Sequence, residues 1–503
     1  MKISTTKGDY YVSLPTLMYS DLKKCCNNND NIDLDLAAFL LHLIIKGTFK
    51  DKALKNNGWV RLCYENLIKY SNSTYKHPEH FDFLETNGFI ETTTHINGIN
   101  GKKNTCKGYK IKDSYLENHL LSSSLTLDGS IINHKINNGT IIRSEQKYVQ
   151  RRKIEARHNT EHLTKWLDSP DFTMDKYEAI KYIEQKYTNK EDAIKKTKRL
   201  HDIEKFDSVL TAYYRDGKDD RLHHYFVQCG SDLKQFIRFR GQPLKEVDIK
   251  SSQPFIFTYI LEVTIETVTK YDDIKECTKQ LTNIFNRLIN NTGKGYYIDS
   301  IYYKVGIKNM IYYTIKTIKT LEPIDFIEIN NFIKLVRDGG IYEYVSEQLL
   351  ALGSIKCVDG KYITKLVDEV SKGCYIQKEF EFETLRDCAK KITLNALYSS
   401  PNNNKVAAIK HFFNLFPAVA KILAALKKSN YKDLPILMQR IEAKCILDHC
   451  SKKAAKKYPK LPLICRHDSL STTVDWSAIL EQEFTGLLNN YFDVEVKVGV
   501  SDW

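Results

Sequence analysis

The sequence predicts a mixed α/β (α+β) protein of more than one domain, and three observations carry that reading. Helical apolar spacing between residues 34 and 87 gives way to short β-rich runs that end near residue 111. A charged helical stretch then begins near Arg143. Beyond residue 215, two strand-like runs each end on an acid, Asp248 and Asp468, with a helix of mixed cationic and aromatic character between them in the chain.

A chain of 503 residues is long enough for two or three cores. Hydrophobic residues at 42% and charged residues at 27% describe a globular protein and exclude a disordered tail. Lys and Arg (75) exceed Asp and Glu (62), and the net charge of +13 favours polyanionic partners such as nucleic acid or an anionic surface. No apolar run approaches a bilayer span, and Met1–Asp9 lacks the apolar core of a signal peptide. An intracellular, cytoplasmic protein with no membrane partner is therefore expected. The 12 cysteines include no Cys-x-x-Cys pair; adjacent Cys25 and Cys26 cannot bridge, and Cys445 and Cys450 read as packing residues on a helix. These spacings do not make a zinc site.

Residues 34–47 spell a buried helix stopped at Gly47, a second helix is expected over Arg61–Tyr70, and a third runs from His77-Pro78 to Asn87-Gly88. Two β-rich runs follow, Phe89–His95 and Cys106–Ile111, around a turn-rich basic break. Helices followed by a basic-tipped hairpin resemble a winged helix-turn-helix over residues 1–115. Lys102, Lys103 and Lys107 would then touch phosphates, with a protein-binding domain as the alternative. Residues 116–142, rich in Ser, Thr, Asn and Gly, read as a linker. Residues 143–214 read as charged helices. Arg143, Lys147 and Arg151 fall on one face there, expected to be solvated, with contact to a phosphate backbone as the alternative.

The chemistry concentrates after residue 215. Leu244–Ile249 is a short β run carrying Asp248, and Ser251-Ser-Gln-Pro254 breaks it ahead of an apolar helix. Leu461–Asp468 and Leu470–Val474 read as a hairpin with Asp468 at its tip. Two carboxylates brought together can hold a pair of Mg²⁺ ions, with Mn²⁺ as a substitute. Arg386, Lys390, Leu394 and Tyr398 are each four apart and share a helix face. Cations at the start of such a stripe suit a triphosphate, and Lys390 can serve as general acid toward a leaving pyrophosphate.

Three segments carry a family resemblance: Val247–Gln253, the Arg-x₃-Lys-x₇-Tyr spacing of Arg386–Tyr398, and His467-Asp468-Ser469. In this order they resemble the motifs of the right-hand polymerases, the superfamily of family A DNA polymerases and phage-type single-subunit RNA polymerases. Phe412–Pro417, Met438–Ala443 and Val496–Trp503 are similar to family A segments, so the resemblance covers roughly residues 215–503. It implies a palm and fingers over 215–503, preceded by a helical thumb-like region over 143–214. It also implies Asp248 and Asp468 as metal ligands with the Ile249 carbonyl, and Arg386 and Lys390 on the triphosphate. Leu394 and Tyr398 would sit under the nascent base pair, and Arg221, Gln439 and His467 against primer and template.

Tyr398 is followed by Ser399 where the families usually carry Gly, and the 142 residues from Asp248 to Lys390 imply an insertion. Gln253, five after Asp248, stands where family A reads the sugar; its bulk favours deoxynucleotides, while Leu394-Asn395 and His467–Ser469 lean toward RNA polymerases. The expected function is a template-directed DNA polymerase without a proofreading exonuclease, acting on a DNA primer–template and nucleoside triphosphates, in a mobile element or virus. An RNA template or product, and replication partner proteins, belong to the same reading. The alternatives are a single-subunit RNA polymerase and a non-catalytic DNA-binding replication protein with a vestigial polymerase domain.

Overall fold

A computed structural model describes residues 10–48, 58–62, 67–70, 76–93, 107–112, 114–115, 131–189, 192–204, 206, 213–289, 301–371, 374–401 and 406–503. The chain is mixed α/β, dominated by helices with small antiparallel sheets, and its buried apolar side chains form two cores.

The first core runs from Val12 to Ile141. It holds β1 (Tyr10–Pro15), α1 (Thr16–Asn27), α2 (Leu34–Thr48), β2 (Val60–Arg61), α3 (Lys76–Thr86), β3 (Ile90–Thr92), β4 (Gly108–Ile111) and β5 (Ile131–Ile136). Helix α2 is central because it is apolar nearly all round, with Leu36 through Leu41, Ile44 and Ile45 buried. Strands β2, β4 and β3 form one antiparallel sheet with β4 in the middle, and Phe81 of α3 stacks on Tyr109 of β4 at 4.1 Å.

Two expectations fail in this region. Val60 and Arg61 pair with Tyr109 and Gly108 as a strand, so the expected helix over Arg61–Tyr70 does not begin at Arg61; residues 63–66 of that expectation lie outside the described residues, Leu67 is helical and Ile68–Tyr70 is a 3₁₀ turn. The second half of the expected linker is built into the domain: β5 pairs with β1 from Ile131↔Pro15 to Ile136↔Tyr10. The Asp35 carboxylate accepts the backbone N–H groups of Asn137 (2.6 Å) and Asn138 (2.7 Å) and lies 2.7 Å from His134 Nε2. The polar composition that reads as linker is what satisfies this junction. Residues 116–130 of that linker, and Lys102 and Lys103, lie outside the described residues; Lys107 lies over the Tyr109 ring at 6.0 Å.

Helix α4 (Gly139–Leu167) starts at the Asn138 cap and joins the cores, burying Ile141 in the first and Ala156, Leu163 and Leu167 in the second. It kinks at Thr160, whose hydroxyl donates back to the Ala156 carbonyl at 2.7 Å. Arg143, Lys147 and Arg151 are exposed on it, as a solvated face requires.

In the second core, β6 (Phe172–Met174), α5 (Lys176–Lys186) and α6 (Ala193–Glu204) precede β7 (Ile237–Phe239), which pairs with β6. Strand β8 (Leu244–Ile249) leads into α7 (Ser252–Lys270), a largely buried helix, then α8 (Ile274–Ile289), α9 (Ile301–Ile318), α10 (Pro323–Arg337) and α11 (Ile341–Ala351). Strands β9 (Lys356–Val358), β10 (Lys361–Ser371) and β11 (Cys374–Phe382) form a sheet dominated by one long hairpin. The long spacing between Asp248 and Lys390 is thus helices plus a hairpin. Helices α12 (Leu385–Tyr398), α13 (Ala407–Leu415), α14 (Pro417–Lys427) and α15 (Asp433–Ala443) follow, then β12 (Ile464–Arg466), β13 (Ser469–Thr473), α16 (Ser477–Phe492) and β14 (Val498–Asp502). Four strands make the central sheet, in the order β12-β13-β8-β14, all antiparallel.

Cys445 and Cys450 are buried with sulfurs 3.8 Å apart, packing residues as expected. Among the described residues no single helix is long and apolar enough to cross a membrane; α13 and α14 pass such a test only as a pair bent by 116°.

Candidate active site

The central sheet brings the two predicted acids together. Ser469 pairs with Asp248, and the same register continued by one residue sets Asp468 beside Ile249. Asp468 lies in the two-residue turn between β12 and β13, where His467 takes φ +59°. Ser251, three residues after Asp248, takes φ +52°. Left-handed backbone is costly for both residue types, and the pair turns the chain sharply beside each acid. On the other side of Asp248, Gly499 of β14 leaves room for the carboxylate, since a Cβ there would lie 3.0 Å from Oδ1.

Four acids meet around this edge, and their partners separate them. Glu246 is ion-paired with Lys234 and with Arg466 (2.9 Å), and Ser469 donates to it. Glu442 of α15, 1% exposed in its side chain, is ion-paired with Arg221. Asp248 and Asp468 have no such partner among the described residues. Burial pushes the Asp468 carboxyl up to about 7, with Glu442 and Asp248 adding to it. Burial and Glu246 raise Asp248, and Lys390 opposes them. The protein therefore leaves this pair short of positive charge, and a divalent cation would supply it. Among the described residues no group of three or more His, Cys, Asp or Glu side chains is arranged to hold a metal. Two carboxylates and a backbone carbonyl suit Mg²⁺, which completes its shell with phosphate and water.

Helix α12 carries the predicted stripe. Thr384 caps it, accepting the Asp387 N–H at 3.0 Å. Cys388, Ala389, Ile392, Thr393, Ala396 and Leu397 are buried, which leaves Arg386 and Lys390 exposed and Leu394 and Tyr398 half-buried on the opposite face. Lys390 is close enough to lower the proton affinity of Asp248. Tyr398 donates its hydroxyl to Gln253 Oε1, which ties the helix end to the turn after β8. Arg386 is bonded to Glu343 at 2.7 Å and lies 5.2 Å from the Tyr342 ring centre. Burial pushes the Tyr342 hydroxyl up to about 12, with Ser251 and Arg386 opposing and Asp468 adding to it.

The remaining predicted residues divide. His467 is held at about 4 by burial, with Arg221 and His223 adding, so its ring is neutral; its Nδ1 is buried with no hydrogen-bond partner among the described residues. Gln439 sits on α15 one turn before Glu442 and is half-buried. Arg221, expected against primer and template, is ion-paired with Glu442. Ser399, which departs from the families' Gly, has φ −73° at the helix end, so no glycine is required there.

Sequence reasoning assigned no role to Glu442, though it lies inside a segment that carries the resemblance, and it missed Lys427. The Lys427 ammonium of α14, 5% exposed, donates to the carbonyls of Ala396 (2.6 Å) and Ser399 (3.0 Å), closing the C-terminus of α12. Burial holds Lys427 at about 8, below its ordinary 10.5. Between those values the unfolded chain keeps a proton that the folded chain has released, so this site's contribution to stability rises with pH. Denaturant unfolding at pH 7.5 and 10 should show the wild type gaining, by up to about 3 kcal/mol, relative to Lys427→Met. An unchanged difference between the two proteins would contradict the burial of this charge.

No protein-family model matches the chain, and no curated protein matches it.

Proposed function

We propose that the chain is a template-directed nucleotidyltransferase of the right-hand polymerase type. The central sheet serves as palm, α12 as fingers helix, the helices from α4 to α6 as a thumb-like region, and the first core as a winged-helix module. The observation that supports this best is the sheet register that sets the Asp468 turn beside Asp248, with Lys390 within electrostatic reach.

Asp248, Asp468 and the Ile249 carbonyl would hold two Mg²⁺ ions. When bound, these ions supply activation of the attacking 3′-oxygen and charge stabilisation for the departing pyrophosphate. Lys390 neutralises the triphosphate and is placed to give a proton to the leaving group. Tyr398, kept protonated by burial, offers its ring to the base pair while its hydroxyl holds Gln253. Gln253 stands as a wall against the sugar, and neutral His467 faces the primer end. Arg386 reaches the triphosphate by exchanging Glu343 for phosphate, an exchange of partners that an exposed ion pair permits at little cost.

The test is extension of a labelled DNA primer on a template with Mg²⁺ and either deoxynucleotides or ribonucleotides. Extension is expected with deoxynucleotides and should stop when the metal is chelated. No extension by the intact chain, with binding retained, would favour the non-catalytic DNA-binding reading. Gln253→Ala should raise ribonucleotide incorporation relative to deoxynucleotide by about tenfold or more, since removing a blocking side chain relieves a clash worth at least one hydrogen bond's energy. Unchanged sugar preference would remove Gln253 from the gate.

A further inference from the structure

The Glu442 carboxylate is met by donors on every side. Arg221 donates through Nε at 2.8 Å and through Nη2, Ser252 through its hydroxyl at 3.0 Å, and Gln253 through Nε2. Burial raises the proton affinity of Glu442 and these donors lower it. The Arg221 guanidinium, which always carries its proton, holds one carboxylate oxygen through two of these contacts, and against that fixed charge the carboxylate is ionised and can only accept.

That has a consequence for Gln253. A glutamine amide can turn end for end with almost no change in shape, and only its hydrogen bonds choose between the two orientations. Facing an acceptor-only group, it must present its NH₂ to Glu442. Its oxygen is then left toward Tyr398, whose hydroxyl donates to it. Donation therefore converges on Glu442 from both sides: directly from Arg221, and from Tyr398 at the end of the fingers helix through Gln253.

Resting on the polymerase reading above, we infer that Glu442 is a positioning residue for sugar selection: its carboxylate locks the Gln253 amide in one orientation under Tyr398, so that the wall against the 2′-hydroxyl is fixed and not mobile. Glu442 touches neither nucleotide nor metal ligand in this role; it acts through Gln253. A glutamine at 442 could donate as well as accept, and the orientation of Gln253 would no longer be dictated.

The experiment is the ratio of deoxynucleotide to ribonucleotide kcat/KM in Mg²⁺ for the wild type, Glu442→Gln, Gln253→Ala and the double variant. Glu442→Gln should lower the ratio by about tenfold, the scale of one hydrogen bond to a charged group. The double variant should discriminate no worse than Gln253→Ala alone, because the two residues act in series. Glu442→Gln leaves Arg221 without its counter-charge; should it fail to fold, Arg221→Gln combined with Glu442→Gln removes both charges and carries the same prediction for the ratio. A wild-type ratio in the Glu442 variants, or additive losses in the double variant, overturns the inference while leaving the polymerase reading in place. A wild type that extends with neither nucleotide overturns both.

Discussion

Replacing Asp468 by Asn should lower metal-dependent nucleotide incorporation by about 10³-fold or more, with the fold retained. Asp248→Asn should do the same. The size follows from the charge balance at the sheet edge, where Lys and Arg neutralise Glu246 and Glu442 but not Asp248 and Asp468. Removing either carboxylate would remove half of the negative charge these two acids bring to the proposed two-metal site, and loss of electrostatic stabilisation at a reacting phosphate is worth several kcal/mol. Asn preserves shape at a position where Asp is already costly to bury, so thermal stability should stay level or rise. Single-turnover incorporation together with a melting curve separates the two effects. Activity within tenfold of wild type in both variants would remove these acids from the chemistry.

The largest loss of stability is expected at Arg215. Its side chain is 1% exposed and forms a fork with Asp448 (2.7 and 2.9 Å) and Asp220 (2.8 Å), tying the segment before Arg221 to the helical turn Lys444–Cys450 that follows α15. Arg215→Met takes away the guanidinium that both carboxylates share and leaves the electrostatic influence of Arg440 and Lys444. Breaking a buried pair from one side costs about 3–5 kcal/mol, and the lower end fits here because Asp448 and Asp220 are partly exposed. Denaturant unfolding reads the loss. Adding Asp220→Asn and Asp448→Asn should return part of it, since the repulsion then disappears. A change below about 0.5 kcal/mol in Arg215→Met would show that solvent already carries this network.

What the sequence made visible follows from the range of the forces involved. The α12 stripe, the Asp468 hairpin and the strand carrying Asp248 are local patterns with periods of 3.6 and 2, and each lies where those patterns place it. Strand β14 falls within Val496–Trp503, one of the segments that carry the resemblance. Strand β5 was illegible because its partner β1 stands more than a hundred residues earlier and its flanking polar residues are spent on Asp35. The start of the helix expected over Arg61–Tyr70 is strand for a related reason: Arg61 follows the sheet edge offered by β4 and not its own spacing. Glu442 and Lys427 act through contacts that folding creates, and Arg215 reaches Asp448 as well as its near neighbour Asp220; their distant partners stand 28 to 233 residues away, and no spacing rule marks them.

Opposite each of the four template bases in turn, single-nucleotide addition to a primer by the wild-type chain in Mg²⁺ should proceed with the complementary nucleotide and be slow with the other three. That outcome requires paired acids, a triphosphate-binding helix face and a template strand held together, as proposed for the site around Asp248, Asp468 and α12. Addition indifferent to the template base, or none at all from folded protein, would contradict it.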